Sequence, residues 1–488
     1  MNGSNQITCP RCLRPISEAD ESCPSCKLTL PPNYCRICYD APPLPIVAIG
    51  FSRHGKTHLL ASMLLTIEHL PTLLPDVSSR PLGQHTLDSL IEWRKASGQR
   101  RTLLKTPVGH VDSDKNEPSR EPVIVSVSGF YDPRTLLIYD VAGENFESLT
   151  LAHQHLPVLR STQTVWFVVS PDDLEPRETQ DEAEGGGRQL GDLFASYLTA
   201  MERLGASLEG RNAVIVLTKG DKLGAVKAAE RVGHDWLDDY LWSDPCASGY
   251  EGSDSFSLPD YEQKLEKMSA ELEKFVRYVP GGPNLVTQLR RHKMNVFYCV
   301  TAPLGADASD AGETKVPGGW KRQRVLDPLI WALRLEKERV ESRSLHFILD
   351  AASDAGPAYA AHAGAPLPQA LWQRLSQQRE VRIWLLGQSA PASPPRQPPP
   401  AAPPSQPRLR LIGPLLESLP EGSRAVVLTN GMIADLEDFK GTSWVGRLLL
   451  VTTSDAASVV NQWDGRNTLV FKTEDDLAQA ASHAQRLA

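Results

Sequence analysis

Residues 50–57 read Gly50-Phe51-Ser52-Arg53-His54-Gly55-Lys56-Thr57. The pattern is a glycine, four variable residues, a second glycine, a lysine and a hydroxyl residue. The apolar run 46–49 precedes it and a helix-like stretch, 56–70, follows. Few folds accommodate this: a buried strand must end in a glycine-rich loop that opens directly into a helix. In such a loop the backbone amides point inward and, with the helix N-terminus, cradle phosphate oxygens. Lys56 then reaches the β- and γ-phosphates, and Thr57 offers its hydroxyl to Mg²⁺.

Three further elements follow in order. Asp140-Val141-Ala142-Gly143-Glu144 comes after the apolar run 136–139. A carboxylate at a strand end can hold Mg²⁺ through water, and the glycine amide can meet a γ-phosphate. Thr218-Lys219-Gly220-Asp221 follows the run 213–217. A carboxylate there accepts from both N1–H and the exocyclic amine of guanine, a donor pair that adenine lacks, so Asp221 would set base choice. The stem of Lys219 would pack across the ring. Thr301-Ala302-Pro303 follows the run 296–300 and offers backbone to the guanine O6.

Together these elements resemble a P-loop GTPase of the translation-factor-related (TRAFAC) class over about residues 44–338. The resemblance implies an α/β fold with a mostly parallel sheet. It implies nucleotide contacts at Gly50, Ser52, Gly55, Lys56 and Thr57, then at Asp140 and Gly143, with guanine contacts at Thr218, Lys219, Asp221, Thr301 and Ala302. The implied cofactors are GTP or GDP and Mg²⁺, the latter held by Thr57 and Asp140. Arg53 and His54 lie within the loop. Arg53 is a candidate cationic finger against a solvent-facing alternative, and His54 is expected to pack or be exposed. His153 and His155 read as surface helix residues.

Three positions depart from the family pattern. Glu144 stands where many small GTPases carry the glutamine that orients water, so slow intrinsic hydrolysis is expected. Thr218 replaces the usual asparagine, which leaves guanine choice intact but is expected to loosen the loop. The switch I threonine is Thr102 or Thr106, with Thr106 preferred, and the stretch 95–121 reads as an enlarged switch or an insertion. Catalysis would then rest on Lys56, Thr106, Gly143 and Glu144.

Six of the eight cysteines fall in the first 38 residues as Cys9/Cys12, Cys23/Cys26 and Cys35/Cys38. Such clustering in a reducing compartment points to metal rather than disulfides. Cys9-Pro10-Arg11-Cys12 and Cys23-Pro24-Ser25-Cys26 resemble two zinc knuckles, and four thiolates make a closed, structural Zn²⁺ site. Cys9, Cys12, Cys23 and Cys26 are preferred because the two knuckles match each other. The set Cys23, Cys26, Cys35 and Cys38 is the alternative. Cys246 and Cys299 read as ordinary cysteines, the latter in a core strand. Arg11, Arg14, Lys27 and Arg36 leave nucleic-acid contact open, but a structural knuckle is preferred. The formal net charge of −8 also disfavours a large nucleic-acid footprint.

The 488 residues suggest about three domains. The reading is a zinc ribbon at 1–40, a GTPase domain at 41–338 and a second α/β domain at 339–488, with a proline-rich insert at 390–408. Strands are expected at 123–128, 136–139, 165–169, 213–217 and 296–300, with helices at 189–208, 261–279 and 324–335. Polar or acidic loops are expected at 111–121 and 171–187. The C-terminal runs 345–349, 381–386, 425–429, 448–451 and 468–471 read as strands. There, 425–431 with 435–439 resembles a von Willebrand factor A domain. Its metal motif is not kept: Asp350 matches, but Ala352 and Asp354 replace serines and Asn430 an aspartate. A Rossmann-like module is the rival reading, and in either case a protein-binding role is expected.

No run reaches the roughly 18–20 apolar residues of a membrane span, and no secretion signal opens the chain, so a cytoplasmic location is expected. The order ribbon, GTPase, α/β module resembles the bacterial double-GTPase family of conflict and defence operons. This implies a switch with slow turnover that acts on protein partners, an effector, an activating protein or a second GTPase. A structural adaptor that binds guanine nucleotide without turnover is the alternative, and an ATP-using enzyme is disfavoured by Asp221.

Overall fold

The computed structural model describes residues 7–51, 54–103, 121–146, 152–153, 155–171, 174, 190–225, 235–247, 256–305, 316 and 319–343. Beyond these it describes 419 and the strand segments 345–349, 381–385, 424–429, 448–453 and 468–471. Two compact units divide at 335/336.

The first unit is built on a seven-stranded sheet. Its strands are β3 (Pro43–Gly50), β4 (Ser78–Leu82), β5 (Val123–Ser128), β6 (Arg134–Ala142), β7 (Thr164–Val169), β8 (Asn212–Leu217) and β9 (Asn295–Val300), in the order β4-β5-β6-β3-β7-β8-β9. All pairs from β6 to β9 are parallel, while β4 and β5 run antiparallel at one edge. Every residue of β7 and β8 is buried, as strands covered on both faces must be.

Period-two alternation divides the core into two layers. Val47, Ile49, Leu137, Tyr139, Val141, Val165 and Phe167 belong to one. Ile46, Ala48, Leu136, Ile138, Trp166 and Val168 belong to the other, together with Leu59, Leu60 and Met63 of helix α2 (Lys56–Leu73). The Cys-rich segment packs into the first layer through Ile7, Ile16, Leu30 and Tyr34. It contains a small antiparallel pair, β1 (Ile7–Thr8) with β2 (Pro15–Ile16), and helix α1 (Tyr34–Asp40).

All the expected strands of this unit form, each reaching a residue or more beyond the apolar run except 123–128. The long interval between Thr57 and Asp140 holds two elements that hydrophobic patterning missed. Edge strand β4 reads Ser-Ser-Arg-Pro-Leu, with a proline of the kind that edges tolerate. Helix α3 (Gln84–Gly98) buries Thr86, Leu90, Trp93 and Ala96 and leaves Leu87 and Ile91 exposed. Residues 104–120 lie outside the described set, as do most of 171–187 and all of 390–408.

Helix Leu258–Tyr278 and the N-terminal part of helix Asp327–Arg343 close the unit. Their junction is a buried polar knot. The Tyr240 hydroxyl donates to Asp327 at 2.7 Å, and Tyr261 donates to the other carboxylate oxygen. The Arg324 guanidinium lies 3.9 Å from the Tyr240 ring centre, and its Nε donates to the Tyr240 carbonyl. Asp244 accepts from the amides of Cys246 and Arg324. Cys246 and Cys299 are buried free thiols, as expected.

The second unit contains an all-parallel sheet of β10 (Leu345–Leu349), β11 (Val381–Leu385), β12 (Arg424–Thr429), β13 (Leu448–Thr453) and β14 (Thr468–Phe471). The order β11-β10-β12-β13-β14 is 2-1-3-4-5 within the unit, a strand order also used by doubly wound sheets. Asp350, Ala352, Asp354, Asn430 and 435–439, on which the von Willebrand resemblance rests, lie outside the described residues. Among the described residues no helix is long and apolar enough to cross a membrane.

Burial lifts the Asp327 carboxyl to about 7 against the pull of Arg324 and the two tyrosines. The unfolded chain releases this proton near 4. The folded state therefore binds more protons between those values and loses stability as pH rises through them. Urea-unfolding midpoints measured from pH 4.5 to 7.5 should fall less steeply in Asp327→Asn than in the wild type.

Candidate nucleotide site and cysteine cluster

The parallel strands β6, β3, β7, β8 and β9 end on one edge, so the loops that follow them meet there. Two glycines are required in the phosphate loop. A Cβ at Gly50 would stand 2.8 Å from the Val168 carbonyl of β7. Gly55 has φ 79°, a left-handed conformation that opens α2. Ser52 and Arg53 lie outside the described residues.

Lys56 curls back over the loop. Its buried Nζ lies 3.0 Å from Asp140 Oδ1 and donates to the carbonyls of Gly50 at 3.1 Å and Val141 at 2.9 Å. The Thr57 hydroxyl donates to the other Asp140 oxygen at 3.4 Å. A cation, a hydroxyl and a carboxylate thus converge at the start of a helix, the donor set that a phosphate with its divalent ion requires. His54 is buried, and its Nδ1 lies 2.7 Å from the Val168 carbonyl, so it serves packing and ties the loop to β7.

Gly143 begins a short 3-10 turn, Gly143–Phe146. The Glu144 side chain lies outside the described set. Asn145 and His155 are both buried and meet at 3.1 Å. The expectation of a surface role for His155 is therefore corrected: it braces the turn after Asp140 from the start of helix Leu156–Ser161. His153 is exposed.

In the 218–221 turn, Thr218 does not loosen its loop. Its hydroxyl lies 2.6 Å from the His54 carbonyl and 3.0 Å from that of Val169, tying the 218–221 turn to the phosphate loop. Lys219 takes φ 51°, and the Gly220 amide donates to the Thr301 carbonyl at 2.9 Å. Asp221 is exposed at the start of the 3-10 turn Gly220–Ala225. The Ala302 amide, expected at the guanine O6, already donates to Gln323 at 3.0 Å. The neighbouring Thr301 hydroxyl is fully buried with no hydrogen-bond partner among the described residues.

Residues 45–245 match the Double-GTPase 2 family. The double-GTPase match holds the phosphate loop, Asp140, Gly143 and the 218–221 turn; Thr301, Ala302 and the cysteine cluster lie outside it. Among solved structures the chain is similar to the S. cerevisiae Ski7 GTPase-like domain bound to GTP. The identity is 13% and the TM-score 0.27, over 61% of this chain and 51% of that one. The same domain bound to GDP and inorganic phosphate matches at 13% identity and TM-score 0.27, over 62% and 52%. The chain thus spans about half the length of these structures. A search of curated proteins finds no match.

One neighbour of the phosphate loop carried no sequence signal of its own. His58, one residue past Thr57, accepts the Leu103 amide at Nε2 over 2.9 Å and has its ring beside Trp320. Burial, helped by the charge of Lys219, lowers it to about 4 and keeps it a neutral acceptor. Trp320 donates to the Arg101 carbonyl at 3.0 Å. Thr102 lies half-buried in this held stretch, whereas Thr106 is outside the described residues.

The thiols of Cys9, Cys12, Cys23 and Cys26 all lie within 4.8 Å of one another, the set preferred from the sequence. Cys9 Sγ is 3.6 Å from Cys26 Sγ, and Cys12 Sγ is 3.6 Å from Cys23 Sγ. A tetrahedron with Zn–S bonds of about 2.3 Å has sulfur edges of roughly 3.7 Å, so the cluster fits that ion. The two knuckles repeat one design. The backbone carbonyls of Cys9 and Cys23 each accept an amide from four residues on, Leu13 and Lys27, and both of those residues are left-handed. Burial pushes the Cys9 thiol up, whereas at Cys23 the amides of Cys26 and Ser25 outweigh burial and bring it down to about 7. Cys35 and Cys38 are buried in α1 apart from the cluster, and Cys35 donates to the Asp20 carbonyl.

Two measurements check this geometry. Thr218→Ala strands the His54 carbonyl at a cost of about 1–2 kcal/mol and should weaken nucleotide binding roughly tenfold by calorimetry. Elemental analysis should find one zinc per chain, lost in Cys12→Ser and kept in Cys35→Ser.

Proposed function

We propose that the chain is a guanine-nucleotide switch with slow intrinsic GTP hydrolysis. The convergence of Lys56 and Thr57 on Asp140 carries this reading, and the double-GTPase match over the same residues supports it. Lys56 holds the β- and γ-phosphates, Thr57 and Asp140 hold Mg²⁺, and Gly143 offers its amide to the γ-phosphate. Asp221 accepts from guanine, Lys219 flanks the ring, and the loop of Thr301 and Ala302 borders that side. Bound Mg²⁺ would neutralise charge between the phosphates.

Glu144 in place of a water-orienting glutamine supports slow turnover, because a carboxylate near a γ-phosphate repels it. Slow turnover in turn calls for an activating protein partner, consistent with a role in a bacterial conflict or signalling system. The cysteine cluster holds Zn²⁺ as a structural ion. The second reading, an adaptor that binds guanine nucleotide without turnover, is favoured by the same Glu144.

The purified full chain with Mg²⁺ should bind GTP and GDP and ignore ATP. Lys56→Ala should weaken GTP at least about 30-fold, the worth of one or more charge-assisted hydrogen bonds. Asp221→Asn should shift preference to xanthine nucleotides. Phosphate release on the order of 10⁻³ s⁻¹ or slower establishes the switch, and binding with no release establishes the adaptor. Absence of GTP binding overturns both.

A further inference from the structure

Resting on the nucleotide-site reading above, we infer that the cysteine knuckle and the nucleotide site are one coupled unit joined by Tyr139: metal in the knuckle tightens nucleotide binding, and nucleotide tightens metal binding.

Tyr139 immediately precedes Asp140 on β6. It is 4% exposed, and its hydroxyl donates at 2.6 Å to the carbonyl of Pro10, the residue that follows Cys9 in the first knuckle. The segment leading into Cys9 is held from its other side, where the Tyr34 hydroxyl donates to the Thr8 carbonyl at 2.8 Å. Alternation along β6 sends Tyr139 and Val141 to the layer that the Cys-rich segment shares, together with Phe51 of the phosphate loop and Phe146 of the turn after Gly143. Asp140 pairs in register with Ala48, which belongs to the opposite layer, the layer of α2. Three consecutive residues of β6 thus face two tasks. Tyr139 reports the position of the knuckle, while Asp140 Oδ1 and the Val141 carbonyl set the position of Lys56 Nζ.

A metal ion cross-links the turn that contains Pro10, because Cys9 and Cys12 flank it. Without that cross-link the Pro10 carbonyl is not fixed, and a fully buried tyrosine hydroxyl loses a defined partner. The strand must then shift or leave the hydroxyl unpaired, and either change reaches Asp140 one residue away. Two sites linked this way obey reciprocity: the factor by which metal strengthens nucleotide equals the factor by which nucleotide strengthens metal.

The test uses the full chain, zinc-loaded, stripped with a zinc-selective chelator, and reloaded. GTP affinity in Mg²⁺ should fall about tenfold on stripping and recover on reloading, within the usual range for coupled sites. Zinc affinity, measured by competition with a chromophoric chelator, should rise by the same factor in saturating GTP, and Lys56→Ala should abolish that rise. Tyr139→Phe keeps the ring and should keep one zinc per chain, so it tests the link without stripping. Its GTP affinity should drop to that of the stripped protein, and GTP should no longer protect its zinc. GTP affinity that ignores zinc, or full reciprocal protection in Tyr139→Phe, overturns the coupling while leaving the switch intact. Failure of the zinc-loaded protein to bind GTP overturns the switch reading and the coupling with it.

Discussion

A buried ammonium group is the constraint on which the first unit turns. Lys56 is 8% exposed, and a cation so placed is costly unless anions and carbonyls surround it. Its three partners come from Gly50, Asp140 and Val141, at the ends of two different strands. For them to coincide, β3 and β6 must lie side by side, parallel, in a register that sets Gly50 opposite Ala142. A slip of one residue would turn Asp140 away from α2 and place Tyr139 beside the lysine. The sheet order, the buried runs of β7 and β8, and the glycines that admit close backbone approach all hold that register.

The 218–221 turn is tied to the same point by different chemistry. Thr218 carries a shorter side chain than an asparagine, yet its hydroxyl still bridges to the His54 carbonyl. His54 in turn is fixed to Val168. The turn carrying Asp221 therefore rests on the loop carrying Lys56, and a ligand spanning both would meet surfaces already aligned. The bond between Ala302 and Gln323 anchors the next loop and removes one amide that sequence reasoning had assigned to the base.

How much of this was legible follows from the physics of each element. Continuous apolar runs such as 165–169 and 213–217 announce strands buried on both faces, and their ends locate the site loops. The spacing of Lys56 and Thr57 announces the loop chemistry, and the repeated Cys-Pro-x-Cys pairs announce their own clustering. β4 was not legible, because an edge strand with Ser78, Ser79, Arg80 and Pro81 has neither apolar alternation nor β-branched residues. Helix α3 was hidden because Leu87 and Ile91 are exposed on its outer side and blur the buried stripe of Leu90 and Trp93. His58 and His155 have no sequence partner to reveal them. Leu103 lies 45 positions from His58, and Asn145 bonds through a side chain that many loops carry on their surface. The Thr301 hydroxyl, without a partner among the described residues, is invisible for the same reason, since only the fold shows how polar atoms are paired.

The position of the cysteine segment follows from its size. Two strands of two residues each and a seven-residue helix cannot enclose a core of their own, and segments this small depend on a metal or on a neighbouring surface. This one uses both. Its thiols gather into one cluster, while Ile7, Ile16, Leu30 and Tyr34 complete a sheet layer that would otherwise stand open. Because that layer contains Phe51, Tyr139, Val141 and Phe146, the surface that supports the knuckle is the reverse side of the phosphate site. A segment that borrows its core from strand β6 cannot be stabilised or loosened without β6 sharing the change, so a metal held by its thiols would have a physical route to Asp140 and Lys56.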